Sequence, residues 1–329
     1  MLKKAKKERL IWLDIMITLS ALELMAYFYY GVRAAALGCL CVGVSLIAEV
    51  ISQRAMGRRF TADDLTCTSD ALIISLMFSA AMNYKLAVFA CIFAVVAAKN
   101  IFGGRRNMIF SPAAAAYIFI LTSWSKELLM YPEPHNHLGL TEKPDELVYS
   151  ASHTFNITGK MELTDFEILM GNFSGPAGSL SVLLLVISAV MLIFRGDISA
   201  GAFLGSVSGT AALALISPVG ESRIDSVGYS IVSNMVLFAS VYIIADKRIA
   251  PHRDFYAFFY GFFIAAFAYV IVLTTAKENA IIMVSVLFTP VALGLKYLEK
   301  RIDKAIDQEK NEAAELLAVK EQKGGATYE

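Results

Sequence analysis

The chain alternates between long apolar stretches and short polar connections. Windows of about 19 residues, the length of helix that crosses the apolar part of a bilayer, delimit ten such stretches. They cover residues 11–31, 34–52, 69–83, 86–100, 106–124, 176–194, 198–216, 227–245, 255–275 and 279–298. This pattern predicts an all-α integral membrane protein with about ten transmembrane helices.

The first apolar stretch follows a short basic segment, as in a signal peptide. The basic residues are Lys3, Lys4, Lys6, Lys7 and Arg9. The stretch is longer than the apolar region of about 7–15 residues in a cleaved signal, and a second stretch follows at once. The sequence therefore predicts an uncleaved signal anchor.

Residues 125–173 form the long hydrophilic segment between spans and divide the chain into two halves of five spans. The predicted units are residues 1–124, the loop 125–173, residues 174–298 and a charged tail over 299–329. The five-plus-five count suggests an internal pseudo-repeat, as many membrane carriers have. In the tail, apolar residues recur at helical spacing over 299–322, which predicts a helix that packs on the cytoplasmic surface or a partner, or is solvated.

The composition supports a membrane protein. The 329 residues are 57% hydrophobic and 18% charged, against roughly 45–50% and 25% in soluble domains. A soluble enzyme, a nucleic-acid-binding module and a disordered chain are excluded on this basis. Basic and acidic residues number 29 each, so net charge indicates no polyanionic partner.

The placement of the basic residues predicts an orientation. With the N-terminus in the cytoplasm, 22 of the Lys and Arg residues fall on the cytoplasmic side, and 7 fall on the other. This is the positive-inside pattern, and it requires an even number of spans. Both termini are therefore predicted inside and the loop 125–173 outside.

Two predicted spans are unusual. The stretch 69–83 begins with Ser69-Asp70 and is short for a full crossing, and the fifth begins with Phe110-Ser111-Pro112. Short or proline-interrupted segments often line a site, because their free backbone groups need partners. A kinked packing helix is the alternative for each.

One run of residues resembles a family signature. Residues Lys99-Asn100-Ile101-Phe102-Gly103-Gly104-Arg105-Arg106-Asn107-Met108-Ile109-Phe110-Ser111-Pro112-Ala113 are similar to K-x-x-F-G-G-x-x-x-N-x-F-N-P-A of the NqrB/RnfD group. These proteins are membrane subunits of ion-pumping, flavin-containing oxidoreductases that act on NADH and quinone or on ferredoxin and NAD.

Three further segments support this resemblance, which extends from about residue 60 to 298. Gly175-Pro176-Ala177-Gly178-Ser179-Leu180-Ser181 lies where the family has G-s-x-G-E-x-S. Phe238-Ala239-Ser240-Val241-Tyr242-Ile243-Ile244-Ala245-Asp246, with Pro251, is similar to A-x-F-M-x-T-D-x-x-x-x-P. Thr289-Pro290 matches the position of the terminal N-x-x-x-P.

The resemblance implies an RnfD-like subunit that passes electrons between flavins of neighbouring subunits while ions move. Its implied partners are the bilayer and other membrane subunits of an Rnf/Nqr-type complex, including one with a covalent flavin, and no nucleic acid. It implies a multi-pass protein of a bacterial or archaeal plasma membrane, not an enzyme alone. The implied cofactor-binding residues are Gly103, Gly104, Pro112, Thr158, Gly159, Gly175, Gly178 and Asp246.

The sequence departs from the family at the flavin attachment site. The family esterifies the phosphate of FMN to a threonine in a motif like D-x-x-[ST]-G-A-T-x-L, and the best register here is Phe155 to Leu163. Thr158, Gly159 and Leu163 match, but the acceptor position is Met161, whose thioether cannot form a phosphoester. Any FMN or riboflavin, expected near the external face, is therefore predicted to be non-covalent.

The altered loop keeps a second hypothesis open. The family's architecture resembles that of urea channels, so a non-redox carrier or channel for a small solute or ion is the alternative. A scaffold protein without flavin or transport is a third class. Two further departures are Ser179, where the family has glutamate, and Ser111, where it has asparagine.

Acidic residues within spans are candidates for an ion pathway. Glu23 lies near the middle of the first span and should face protein or water, because a lone carboxylate in hydrocarbon is costly. Asp70 is the second candidate, whereas Asp14 and Glu49 are predicted to be interfacial. Asp246 either lines a cofactor or ion cavity or pairs with neighbouring bases.

The cysteine and histidine patterns do not predict a metal centre. Cys39, Cys41, Cys67 and Cys91 lie in or beside spans and are interpreted as buried reduced thiols. His135 and His137 have too few accompanying ligands for a zinc site and indicate a solvated turn.

Overall fold

The computed structural model describes the backbone of residues 2–104, 107–142, 144, 146–161, 163–220 and 222–325. The side chains of residues 2–9, 62, 63, 307 and 309–325 are not described. Arg105 and Arg106 of the signature, Lys143 of the charge count and Glu162 of the attachment register lie outside the described backbone. Within the described part, the chain is helical and makes two isolated β-bridges, Tyr131–Val148 and Ile198–Asp246.

The described residues of the first half form five α-helices. They are α1 (Leu2–Tyr30), α2 (Val32–Ala55), α3 (Cys67–Met77), α4 (Tyr84–Ile92) and α5 (Pro112–Ser123). A 3-10 turn, Ala62–Thr66, precedes α3, and a π-helical segment, Phe93–Asn100, continues α4.

In the described part of the chain, the loop 125–173 contains three short α-helices, and the second half contains seven. The loop helices are α6 (Ser125–Leu128), α7 (Ala151–Thr158) and α8 (Asp165–Met170). They are followed by α9 (Val182–Arg195), α10 (Ala200–Ile216), α11 (Arg223–Val232), α12 (Val236–Ala239) with a π segment Ser240–Ile244, α13 (Asp254–Thr275), α14 (Ala280–Leu287) and α15 (Thr289–Gly325).

Each predicted apolar stretch coincides with a helix or a broken helix. Among the described residues, three helices, or up to five if each bent pair counts as one, are long and apolar enough to cross a membrane. The chain is therefore a helical protein with several candidate membrane spans, and the count of ten stays a prediction. The predicted helix over 299–322 is confirmed as part of α15, which runs without a break from Thr289.

The molecule has two ends, which we name by their contents. The basic end carries the described residues of the connections 56–66, 101–111, 196–199 and 245–253. The loop end carries the described residues within 78–83, 124–173, 217–222 and 276–279. Helices α2, α9 and α12 run toward the basic end, whereas α10 runs from the basic end to the loop end.

The short third span is explained by a helix that stops early. Helix α3 ends at Met77, and residues 78–83 are not helical. Arg33 is buried and donates hydrogen bonds to the carbonyl oxygens of Ala80, Ala81 and Met82 at 3.1–3.3 Å. Basic side chains commonly satisfy carbonyl groups left free beyond a helix C-terminus. Arg33 is thus a buried structural residue rather than a loop charge.

The fifth span begins later than the sequence predicts. Residues 107–111 are not α-helical, and α5 begins at Pro112. The Ser111 hydroxyl accepts the amide hydrogen of Ala114 at 3.4 Å, which caps the helix. Proline is favourable in this first helical position because its missing N–H needs no partner there. Pro112 therefore starts a helix instead of interrupting one.

The second half is built around a close helix pair. The glycines Gly201, Gly205 and Gly209 of α10 face the backbone of α13, and a Cβ atom on any of them would overlap a carbonyl oxygen of that helix. Small residues at this spacing let membrane helices approach closely, so dispersion contacts hold them together. The pair separates the two ends by the length of α10, about 25 Å at 1.5 Å per residue.

Candidate functional site: a basic cleft

A cleft of about 1480 Å³ opens at the basic end between the two halves. Its walls come from α1, the 3-10 turn, the 101–111 connection, the 245–253 connection and α15. Ordinary ligand pockets measure about 300–1,000 Å³, so this cleft has room for a large organic molecule.

Most of the charged side chains that line the cleft are cations, and three aromatic rings lie among them. The cations are Arg58, Arg59, Lys247, Arg248, Lys296 and Lys300, with His252 beside them. The carboxylates are Asp64, Asp197 and Asp246, and the aromatic rings are Trp12, Phe102 and Tyr242. This excess of positive charge favours an anionic or electron-rich occupant.

Asp70 and Asp246 meet at one arginine. The Arg248 guanidinium lies 2.6 Å from Asp246 and 3.2 Å from Asp70, which is buried at the start of α3. Burial alone would lower the pKa of Arg248, but the two carboxylates outweigh burial and raise it. Asp246 therefore both lines the cavity and pairs with a neighbouring base, so both interpretations of this residue describe the same site. The arginine joins the first half of the chain to the second.

The glycines of the signature form a turn that lines the cleft. Gly103 and Gly104 have φ angles of 100° and 79°, which residues with a side chain rarely adopt. The amide of Gly104 donates to the carbonyl of Lys99 at 3.1 Å. A Cβ atom at Gly104 would make only ordinary van der Waals contacts with Asn100 and Arg58, so the backbone conformation rather than crowding selects glycine here.

A buried ion pair lies directly under this turn, and sequence reasoning missed it. The Lys99 ammonium lies 3.2 Å from Glu49, and both side chains are essentially inaccessible to solvent. Asn100 and Gln53 donate to the two oxygens of Glu49 at 3.2 and 2.9 Å. Glu49 is thus buried within the protein, and its interfacial depth in the membrane stays a prediction. The sequence signal that could have revealed this ion pair was a lysine and a glutamate within two neighbouring apolar stretches.

A second acidic group lies at the mouth of the cleft. Asp14 of α1 accepts from Arg195 of α9 at 2.6 Å, and Asp197 lies beside them. Burial, followed by a hydrogen bond with Asp14 and the charge of that carboxylate, raises the pKa of Asp197 to about 6, although Arg195 and Lys247 oppose the shift. Asp14 is buried by these contacts, and its interfacial depth in the membrane stays a prediction.

The degenerate attachment loop lies at the opposite end. Helix α7 ends at Thr158, whose hydroxyl contacts the carbonyl oxygens of Thr154 and Lys160. Gly159 caps the helix and packs against the backbone of Val219. Met161 is half-buried against the apolar core. The structure therefore does not bring Thr158 and Gly159 together with Gly103, Gly104 and Asp246, since α10 separates the two groups.

The remaining predicted cofactor-binding residues lie where helices pack or begin. A Cβ on Gly178 would overlap Phe238 and Leu76, so this glycine admits α3 and α12 side by side. The carbonyl of Gly175 accepts the Tyr30 hydroxyl at 3.3 Å. Gly175, Gly178 and Pro112, which begins α5, therefore position helices and do not line the cleft.

Glu23 faces protein, as the sequence predicts. Its carboxylate lies against Gly38 of α2, where a Cβ atom would collide with it, and accepts from the Ser75 hydroxyl at 3.4 Å. It is separate from the cleft lining.

Three of the four cysteines are buried as predicted, and His135 and His137 are exposed. Cys41, Cys67 and Cys91 are buried and free, but Cys39 is exposed on the outer surface of α2, which corrects the prediction for that residue. Among the described residues, no group of three or more His, Cys, Asp or Glu could hold a metal ion.

Comparison with known proteins identifies a family and several relatives. The model of the NQR2, RnfD, RnfE family matches residues 2–298. The D component of the Na(+)-translocating ferredoxin:NAD(+) oxidoreductase complex of Acetobacterium woodii is 26% identical over 187 residues, 56% of this chain and 58% of that protein. The D components of the ion-translocating oxidoreductase complexes of Shewanella sediminis and Vibrio cholerae are 24% identical over 143 residues and 27% identical over 154 residues.

The matched regions are partial. The match covers 43% of this chain and 40% of the Shewanella protein, and 46% of this chain and 43% of the Vibrio protein. The chain thus spans about half the length of these curated relatives.

Proposed function

Because the chain belongs to the NQR2, RnfD, RnfE family, we propose that it is the RnfD-like membrane component of an ion-translocating, flavin-dependent electron transport complex. It relays electrons between flavins and couples this relay to ion movement. Its partners are the other membrane subunits of an Rnf/Nqr-type complex, including one that carries a covalent flavin. It resides in a bacterial or archaeal plasma membrane with both termini inside, so the basic end faces the cytoplasm.

One observation supports this function most directly. The family's signature turn, Gly103-Gly104, and Asp246, the acid of a second family motif, come from opposite halves of the chain yet line the same cleft. A lipid-facing packing surface would not need a polar cavity of this size between the halves. The cleft is therefore the place where a cofactor or a partner engages the two halves together.

A flavin fits the cleft better than it fits the attachment loop. Trp12, Phe102 and Tyr242 offer aromatic faces for a ring system, and Arg58 and Lys296 offer charge for a phosphate. At the loop end, the Met161 thioether packs against the core, and the Thr158 hydroxyl already contacts two carbonyl oxygens. A bound flavin would supply one- and two-electron chemistry. We propose that it is FMN or riboflavin, held without a covalent bond at the basic end rather than near the external face.

The alternative function is a non-redox carrier or channel on the same scaffold. Met161 at the acceptor position is the observation that favours it. The visible absorption of the purified protein separates the two functions, since a flavin absorbs blue light and a carrier without a cofactor does not.

The experiment for the complex uses the tagged full-length chain, expressed with its genomic neighbours. Electron-transport function predicts that iron–sulfur and flavin subunits copurify and that vesicles take up ions when a reductant is added. Arg248→Gln should lower this uptake at least severalfold, because it leaves the buried Asp70 and the partly buried Asp246 without their cation. The exposed change Glu146→Gln at the loop end is the matched control. Copurification of no redox protein, with solute uptake that needs no reductant, would establish the carrier instead.

A further inference from the structure

Glu278 is a buried carboxylate at the loop end, between α13 and α14. Its side chain accepts a hydrogen bond from the Tyr131 hydroxyl at 2.7 Å and another from the Ser150 hydroxyl. The residue is only 3% exposed. Among the residues that the structure describes, no lysine or arginine pairs with it. A buried carboxylate is costly unless its charge is balanced, so this position favours a positive charge.

The neighbouring residue carries an unsatisfied oxygen. The Asn279 side chain is completely buried, and its amide nitrogen lies 3.4 Å from the Tyr117 hydroxyl. Its side-chain oxygen accepts no hydrogen bond within the described part of the chain. Buried amide oxygens nearly always have a partner. A group outside the chain is therefore expected beside this oxygen.

These side chains are held in place by separate structural devices. Ser150 caps α7 by accepting the amide hydrogen of His153 at 3.0 Å, and Tyr131 lies in the β-bridge with Val148. Glu278 and Asn279 directly precede α14, whose N-terminal amides favour negative charge at this point. The oxygens are thus positioned before any ligand arrives.

We propose that Glu278 and Asn279, with the hydroxyl oxygens of Ser150 and Tyr131, form a binding site for one sodium ion. Carboxylate, amide and hydroxyl oxygens are the ligands that hard cations prefer. A single positive charge balances the single carboxylate, whereas a divalent cation would leave an excess charge in a buried place. The site depends only on these side chains, so it stands or falls independently of the electron-transport function.

A proton competes with sodium at such a site. Burial raises the pKa of Glu278, although its bonds to Ser150 and Tyr131 and the nearby His153 oppose the shift. The other titratable groups that face it are Tyr117 and Tyr131.

Carbodiimide labelling of the purified full-length chain tests the site without a mutation. A hydrophobic carbodiimide modifies protonated buried carboxyl groups, and peptide mass spectrometry reads the extent of labelling at Glu278. At a sodium concentration about ten times Kd, labelling should slow about tenfold, because only the empty fraction reacts. Potassium and choline at the same ionic strength should not protect. Labelling that depends on pH but not on sodium would show a proton site and overturn the proposal.

Thermal unfolding gives the second measurement. Replacing potassium with sodium should raise the Tm of the unmodified chain and of Glu146→Gln, an equivalent change at an exposed position of the same end. Glu278→Gln should abolish this sodium-specific rise. If that variant does not fold, Ser150→Ala keeps the carboxylate, removes one oxygen and should weaken the sodium concentration dependence severalfold. A sodium-specific rise that persists in Glu278→Gln, or a sodium concentration dependence that is unchanged in Ser150→Ala, would refute the site.

Discussion

The ammonium group of Lys99 lies 3.2 Å from the carboxylate of Glu49, and both side chains are sealed from solvent beneath the Gly103-Gly104 turn. This pair joins the end of the π segment to α2. Removing one partner leaves a buried charge uncompensated, which costs about 3–5 kcal/mol in known cases. We expect Lys99→Met or Glu49→Gln alone to destabilise the protein by about this amount, measured as loss of folded protein in thermal scans.

The double variant Lys99→Met with Glu49→Gln is the informative control. It removes both charges together, so it should be less destabilised than Lys99→Met alone. The exposed change Lys85→Met, at the start of α4, should have little effect. Equal destabilisation of the single and double variants would show that the pairing contributes nothing.

The turn itself gives a second prediction. Gly104→Val places a branched side chain at a φ of 79° and should cost about 1–2 kcal/mol in the turn. Because this turn lines the cleft, complex assembly and electron flux should fall below the unmodified level. Gly43→Val is the matched control, since Gly43 has open space around it and an ordinary helical backbone. Unchanged assembly and flux in Gly104→Val would contradict the functional role of the turn.

The acidic pair at the mouth of the cleft predicts a pH dependence. The pKa of Asp197 is about 6 in the folded chain against 3.8 unfolded. The folded state therefore binds the proton more tightly, and stability should fall as pH rises from about 4 to about 6. Asp197→Asn should remove this component and raise stability above pH 6 by about 1 kcal/mol, a value reduced for solvent screening. Tm measured across pH 4–8 tests this, and identical profiles for both proteins would be the negative result.

The attachment loop predicts the absence of a covalent flavin at position 161. Met161 has no hydroxyl for a phosphoester, so denaturing gels under ultraviolet light should show no fluorescent band at the protein's mass. The double change Lys160→Ala with Met161→Thr restores T-G-A-T after the α7 cap. Co-expressed with a flavin-attaching enzyme, this variant should fluoresce. A folded variant that stays dark would show that the loop is not a decayed attachment site.

The topology is the fifth prediction. Reporter fusions after Trp124 and after Leu298 should report opposite sides of the membrane, because the 22-to-7 division of basic residues places the loop 125–173 outside. The same location for both fusions would rule out an odd number of crossings between them.

Periodicity predicts where the helices lie but not where they stop. The apolar run 69–83 looks like one span, because sequence hydropathy cannot show that Arg33, from another helix, satisfies the carbonyls beyond Met77. The same limit applies to the fifth span, whose start depends on the Ser111 cap. Local composition indicates which residues favour a helix. The end of α3 and the start of α5 depend instead on particular side-chain contacts.

Several residues of the candidate site could be predicted from the sequence, but their arrangement around one cleft could not. The signature glycines, Asp246 and Asp70 could be chosen from motifs and from the rarity of acids in spans. Arg248 could not, since a base beside Asp246 resembles an ordinary boundary charge until Asp70 is found on its other side. Glu278 was missed because it lies between two spans, where a glutamate normally indicates solvent.

Helix α15 connects the basic end to the C-terminal tail without a break. Its 37 residues form one rod of about 55 Å at 1.5 Å per residue. Near the cleft, Glu299 accepts the amide hydrogens of His252 and Arg253, and Lys296 donates to the carbonyl of Arg248. A displacement of the far end thus acts as a lever on the segment that carries the arginine between the two halves. Because Leu293, Lys296 and Lys300 of this helix line the cleft, the position of α15 helps to set the width of the cleft.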